Sequence, residues 1–282
     1  MRFFDLHCDT LTKTYETKQS LFNNNLAVDF NKGQVFSKWT QCFAVWIDDK
    51  CQNPFDFYKK VLLQYKHYKQ NAPKNLTPIL TVENGSLFEN DILRVEKLKK
   101  DGVKAITLTW NNDNCIASGV KAKGGLKPFG REVIGEMNRL KIACDLSHIN
   151  TQGFFEALRL TDYPFASHSC CDAVKNHPRN LTDKQILKIL DKNGIIGICL
   201  YPLFCGADIF AGVYQNILHL INLGATENIA IGTDFDGCDM PNELSNITKI
   251  VNLYKFLQRK NITEQTLEKI FYENAKNFFL RL

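Results

Sequence analysis

An α/β chain wound into a (β/α)8, or TIM, barrel is the fold class predicted here, on three observations. Eight short apolar runs are spaced along the chain, stretches of helical period separate them, and no linker rich in Pro, Gly or Ser divides its 282 residues. The runs read as strands are Phe3 to Asp9, Phe36 to Ile47, Pro78 to Glu83, Ala105 to Trp110, Ile142 to His148, Phe165 to Ser169, Ile195 to Tyr201 and Ile229 to Phe235. A barrel of this length normally folds as one unit, so residues 1–282 are expected to form a single domain.

The segments between the strands carry helix punctuation. Ile92 to Lys100 closes on Lys97, Lys99 and Lys100 with Gly102 beyond it. Thr182 and Gln185 have capping-box spacing ahead of Ile186, Leu187 and Ile189. Thr263 reads as the N-cap of a helix whose apolar face is Leu267, Ile270 and Phe271. Two connections, Lys13 to Lys32 and Asn111 to Lys127, exceed the usual strand-to-helix loop and lie on the C-terminal face, where barrel active sites form.

Composition narrows the class. Hydrophobic residues make up 44% and charged residues 23%, values that permit a large core. The net charge is +5, but the lysines are scattered among acids, so no nucleic-acid partner is expected. No apolar run is long enough to span a membrane, and no membrane association is expected. The ten cysteines form no C-x-x-C, and Cys42, Cys144 and Cys199 sit singly in apolar runs. They read as reduced, buried thiols, with Cys170 and Cys171 assigned to packing. With a strand beginning at the second residue and no secretory signal, a cytoplasmic location is expected.

Chemistry-bearing residues gather at the ends of the apolar runs. His7 and Asp9, two apart on a strand, point to one face while Cys8 points to the other. Glu83, His148, His168 and Asp234 also stand at or near C-terminal ends of runs, the end a barrel directs to its active site. Uncompensated charge there would cost roughly several kcal/mol per ion, and bound cations would remove most of that. Of the other histidines, His67 and His219 read as surface or packing residues, and His177 has no assigned role. Nitrogen and carboxylate donors suit zinc, and also manganese, iron or cobalt. The set exceeds the needs of one tetrahedral ion, so two metals bridged by Glu83 are expected, a type of centre that typically holds a bridging hydroxide.

The motifs Asp-Leu-His-Cys-Asp-Thr-Leu at 5–11, Val-Glu-Asn-Gly at 82–85, Leu-Thr-Trp-Asn at 108–111, Asp-Leu-Ser-His at 145–148, Ser-His-Ser at 167–169, Pro-Arg-Asn-Leu at 178–181 and Gly-Thr-Asp-Phe-Asp-Gly at 232–237 run in order along nearly the whole chain. Together they resemble the membrane dipeptidase (renal dipeptidase) family of zinc peptidases. The resemblance implies a barrel of the metallo-dependent hydrolase type and a binuclear zinc dipeptidase. It places His7, Asp9 and Glu83 on one zinc and Glu83, His148 and His168 on the other. Arg179 matches the arginine that grips the substrate's C-terminal carboxylate, a task suited to a guanidinium fork. Asp234 matches an aspartate beside the metals, a proton carrier, and Tyr201 matches a pocket tyrosine. Asp236, followed by Gly237, reads as an orienting or loop residue.

One position departs from that pattern. Many members have a histidine after Leu-Thr, thought to stabilise the oxyanion; here Trp110 and Asn111 follow. An indole donates one hydrogen bond and cannot become cationic, so Asn111 or Asn112 is expected to supply the missing donor, and Trp110 is expected to line the substrate site. The expected substrate is a small dipeptide with a free C-terminal carboxylate. The competing readings are a related amidohydrolase acting on another small amide, a lactam or a phosphoester, and a metal-stabilised binding protein. A homodimer is an expectation by family analogy only.

Overall fold

In the computed structural model, which describes residues 1–282, eight parallel strands close into a barrel in sequence order. They are β1 Arg2–Cys8, β2 Lys38–Trp46, β3 Leu76–Glu83, β4 Val103–Thr107, β5 Ala143–Asp145, β6 Pro164–Ala166, β7 Ile195–Cys199 and β8 Ile229–Gly232. Asp5 pairs with Ile231 to join β1 to β8 and complete the ring. The surrounding helices are α1 Thr10–Thr17, α2 Pro54–Gln70, α3 Leu93–Asp101, α4 Pro128–Arg139, α5 Thr151–Leu160, α6 Asp183–Leu190, α7 Pro202–Cys205, α8 Ile209–Asn222 and α9 Ile250–Arg259. A last helical run consists of α10 Glu264–Glu268, a π-helical turn Lys269–Glu273 and α11 Asn274–Phe279.

Local signals account for the helix ends. The Thr182 side chain accepts from Gln185 N, and the Gln185 side chain accepts from Thr182 N, which closes the capping box of α6. Gly102 ends α3 at φ 92°, a left-handed conformation that glycine adopts without a Cβ penalty. Thr263 caps α10 by accepting from Thr266 N. The expected long loop after β1 is partly helical, because α1 takes up Lys13 to Thr17. Its threonines are weak helix formers, and packing of Thr10, Leu11 and Thr14 against the barrel overrides that preference.

Several strands are shorter than their apolar runs. The run predicted as Ile142 to His148 is strand only over β5, and the run Ile229 to Phe235 only over β8. Past these ends the ladder becomes irregular: Leu146 N still donates to Phe165 O and Asp234 N to His7 O, while the intervening N–H groups bond to a buried carboxylate. Ser147 N and Ser167 N donate to Asp145 Oδ1, and Thr233 N donates to Asp5 Oδ1. The apolar character of the sequence continues, but the regular ladder does not.

Two buried layers position the site. Phe4, Leu6, Cys42, Phe165 and Ile195 fill the lower barrel, which Tyr272, Ala275 and Phe278 of the last helical run seal. A larger shell, which includes Phe3 and Cys8, lies between barrel and helices. Between Asp5 and Cys8 the β1 register slips against β2, three steps on one strand facing two on the other (Asp5 opposite Gln41, Cys8 opposite Phe43). Such a bulge re-aims side chains. Leu6 stays in the lower plug, Cys8 joins the outer shell, and His7 lies with the site residues at the mouth.

A Cβ at Gly232 would lie 1.7 Å from the carbonyl oxygen of Ser167, whereas a Cβ at Gly135 would meet nothing within 4 Å. Gly232→Ala is therefore expected to lower the denaturant midpoint by an amount equivalent to about 1–3 kcal/mol. Gly135→Ala, within α4, is expected to raise it by up to about 1 kcal/mol.

Candidate metal centre

Six buried side chains converge on the C-terminal mouth of the barrel. β1 delivers His7, and Asp9 follows it; Glu83 ends β3; His148, His168 and Asp234 lie in the turns just beyond β5, β6 and β8. His148 at φ 67° and Asp234 at φ 61° adopt left-handed backbone, which costs roughly 1–3 kcal/mol per non-glycine residue and clusters where function over-determines conformation. Turns of this kind aim both side chains into the mouth where a continuing strand would alternate them.

Glu83 stands between two sets of donors. Its Oε2 is 3.2 Å from Nε2 of His7, which is itself 3.5 Å from Asp9 Oδ2. Its Oε1 is 3.0 Å from Nε2 of His148 and 3.8 Å from Nε2 of His168. Donors at the corners of a tetrahedron with bonds of about 2.0–2.1 Å are about 3.3 Å apart, so both sets have the spacing of a metal site. Two buried atoms, His7 Nε2 and Asp9 Oδ1, have no hydrogen-bond partner. His7, Asp9 and Glu83 form one candidate ligand group and Glu83, His148 and His168 another; Asp234 joins His7 and His168 in a third.

Electrostatics point the same way. Burial raises the pKa of Glu83 and of Asp234, and Asp9 raises both further, because buried carboxylates repel one another's charge. Burial opposes protonation of His7, but Glu83 and Asp9 outweigh it and lift its pKa well above the usual imidazole value. His148 and His168 are depressed, first by burial and then by nearby cationic groups, so they are the neutral imidazoles that ligation requires. The carboxylate cluster calls for cations, and the two neutral rings offer lone pairs.

The remaining site residues fall around this centre. Arg179 is 6% exposed; its Nη2 donates to His168 O at 3.1 Å, its Nε has no partner, and its guanidinium lies over Phe204. It makes no ion pair with Asp183, which pairs with His219 at 2.7 Å. Tyr201 precedes α7 and meets Phe204 edge-on. Trp110 packs edge-to-face on Trp46 at the mouth. Asn111 Oδ1 is 3.1 Å from Nδ1 of His148, whereas Asn112 turns away to bond Asp49. Asp236 accepts from Thr10 Oγ1 and Ala27 N and pins the connection after α1, the loop role expected of it.

Other residues of the mouth carry no sequence signature. Lys13, Trp46, Phe204 and Asp239 line a cleft of about 910 Å³, open to solvent, together with Asp9, Glu83, His148 and Asp234. A Cβ at Gly237 would lie 2.1 Å from Asp9 Oδ2 and 2.5 Å from Asp234 Oδ1, so any side chain there would displace two site carboxylates; the Asp-Phe-Asp-Gly motif is the available signal. All ten cysteines are free, and Cys170 and Cys171 pack in the outer shell. Cys199, expected from sequence as a buried thiol, has its Sγ 3.7 Å from Asp234 Oδ2.

A group that accepts from the far nitrogen of a ligating imidazole fixes its tautomer, and losing it typically costs 10–100-fold in metal affinity. Asn111→Ala is accordingly expected to weaken metal binding by about 10–100-fold in competition with a chromophoric chelator, and Asn112→Ala to leave it unchanged.

Residues 1–279 match the family model described as membrane dipeptidase, peptidase family M19. An uncharacterised dipeptidase of Schizosaccharomyces pombe is 33% identical over 185 residues, 62% of this chain and 45% of that protein, so the match spans under half of the yeast protein's length. Among solved structures, the metallo peptidase dipeptidase AC superposes with a TM-score of 0.90 at 22% identity, covering 100% of this chain and 98% of its own. A Rhodobacter sphaeroides metallo peptidase, solved with a phosphinate mimic of the dipeptide L-Ala-D-Ala, gives 0.89 at 21%, covering 100% and 99%. The chain belongs to the membrane dipeptidase family, peptidase family M19, and carries the catalytic fold of a metallo-dipeptidase.

Proposed function

We propose that this chain hydrolyses small dipeptides bearing a free C-terminal carboxylate at a centre of two zinc ions. The observation that carries this reading is the double engagement of Glu83, whose two oxygens face separate imidazole-containing ligand groups. His7, Asp9 and Glu83 would hold one divalent ion and Glu83, His148 and His168 the other, and the pair would supply the Lewis acidity that acidifies a water molecule and polarises the scissile carbonyl.

The protein's own groups do the rest. Asp234, whose pKa burial raises, has Oδ1 3.9 Å from His7 Nε2; there it takes a proton from the attacking water and passes it to the leaving amine nitrogen. Arg179 anchors the substrate carboxylate, since a buried guanidinium without an anionic partner is complementary to one. Trp46, Trp110, Tyr201 and Phe204 wall the cleft, so apolar surface orients the substrate and limits water around the reacting bond. The dipeptide mimic held by the Rhodobacter sphaeroides relative supports a substrate of this size.

Removing metal with a chelator is expected to abolish dipeptide hydrolysis, and zinc to restore it. Arg179→Met is expected to lower kcat/KM for a free dipeptide by about 30- to 1,000-fold, or about 2–4 kcal/mol, with little effect on the slower cleavage of the C-terminally amidated analogue. Equal loss on both substrates would refute the carboxylate anchor.

A further inference from the structure

Beneath the metal centre lies a buried carboxylate outside the ligand set. Asp145 is 1% exposed, and its four hydrogen-bond partners are all neutral. Its Oδ1 accepts the N–H groups of Ser147 at 3.0 Å and Ser167 at 2.9 Å, and its Oδ2 accepts the hydroxyls of Thr107 and Ser167, each at 2.6 Å. An ionised carboxylate only accepts, so the single hydroxyl hydrogen of Ser167 is committed to Asp145. Ser167 Oγ also lies 2.7 Å from Nδ1 of His168 and is left to act as acceptor there. The ring proton of His168 therefore sits on Nδ1. Its Nε2, the atom facing Glu83 and 2.8 Å from His148 Nε2, carries the lone pair.

We propose that Asp145 sets the tautomer of His168 through Ser167, so that the line from Asp145 to the imidazole is a positioning relay for one metal subsite. The inference rests on the metal reading above and adds the group that makes one ligand competent. What matters is the direction of the chain. Asp145→Asn keeps the size of the side chain and one oxygen for the two backbone N–H groups, but aims an NH2 at the hydroxyls. Ser167 must then accept from that amide, its own hydrogen turns to His168 Nδ1, and the ring proton moves to Nε2, the nitrogen that has to be bare to ligate. No proton is gained or lost in the exchange.

Asp5 provides an internal contrast. It accepts from Thr233 N at 2.8 Å and Thr233 Oγ1 at 2.7 Å in the same pattern, and from His7 N at 3.3 Å. The Thr233 hydroxyl, however, lies against the backbone carbonyl of His7 at 3.2 Å rather than against a ring. Asp5 thus ties the segment after β8 to β1 without controlling where an imidazole proton resides.

The test uses the full chain as wild type, D145N, S167A and the double variant, titrated with zinc against a chromophoric chelator, with thermal midpoints alongside. D145N and S167A are each expected to weaken one zinc equivalent by about 10–100-fold and leave the other in place. The double variant is expected to be no worse than D145N alone, since both changes break one line. Long-range proton–nitrogen NMR of the metal-stripped protein is expected to show His168 protonated at Nδ1 in wild type and at Nε2 in D145N. S167A keeps both backbone anchors of Asp145 and carries the affinity test should D145N not fold. Unchanged zinc affinity in the variants, additive losses, or a His168 proton that stays on Nδ1 in D145N would overturn the relay. Failure of the wild type to take up zinc would overturn the metal reading, and the relay as a metal-positioning device with it.

Discussion

Three carboxylates, Asp9, Glu83 and Asp234, share one buried mouth, and the structure depends on how their charge is balanced. Burial raises the pKa of Glu83 and Asp234, and only His7 among the neighbouring rings is lifted toward the cationic form. One imidazolium, with the Arg179 guanidinium nearby, still leaves three buried carboxylates short of a full set of counter-charges. Bound metal can supply them, and the donors around Glu83 form candidate ligand groups for it.

Holding that charge cluster in place requires rigid support from below. Asp5 ties the end of β8 to β1 and β2, while Asp145 ties the end of β6 to β4 and β5. In each case a side-chain carboxylate takes over where ladder hydrogen bonds stop, and the residue that follows the tied Thr or Ser, Asp234 or His168, belongs to the site. Barrel strands provide direction, and these two brackets convert direction into placement. The β1 bulge adds the final adjustment by bringing His7 to the mouth above Leu6.

Much of this was legible in the residues. Eight apolar runs gave the barrel, and Glu83 stands at the end of β3 where periodicity put it. His7 and Asp9 do share a face, although a register slip stands between the simple alternation argument and that outcome. His148 and Asp234 were assigned to the ends of strands, yet both sit in left-handed turns, because apolar content persists after pairing ends and period alone cannot distinguish the two. Trp46 and Phe204 reach the cleft from distant parts of the chain through tertiary packing, which leaves no local pattern. His177, which carries no role in the sequence reading, packs at a tilt against Phe204 and accepts from the Arg179 N–H, so it helps shape the backbone that carries the guanidinium.

Closure of the ring through Asp5 and Ile231 joins the first strand to the last. During synthesis on the ribosome, β1 is exposed long before β8 has been made, and its hydrogen-bonding groups on that side stay unpaired for most of translation. The lower barrel is likewise open until Tyr272 and Phe278 arrive. The pairing that completes the ring is thus a long-range contact between the two ends of the barrel, and long-range strand pairing is intrinsically slow to form.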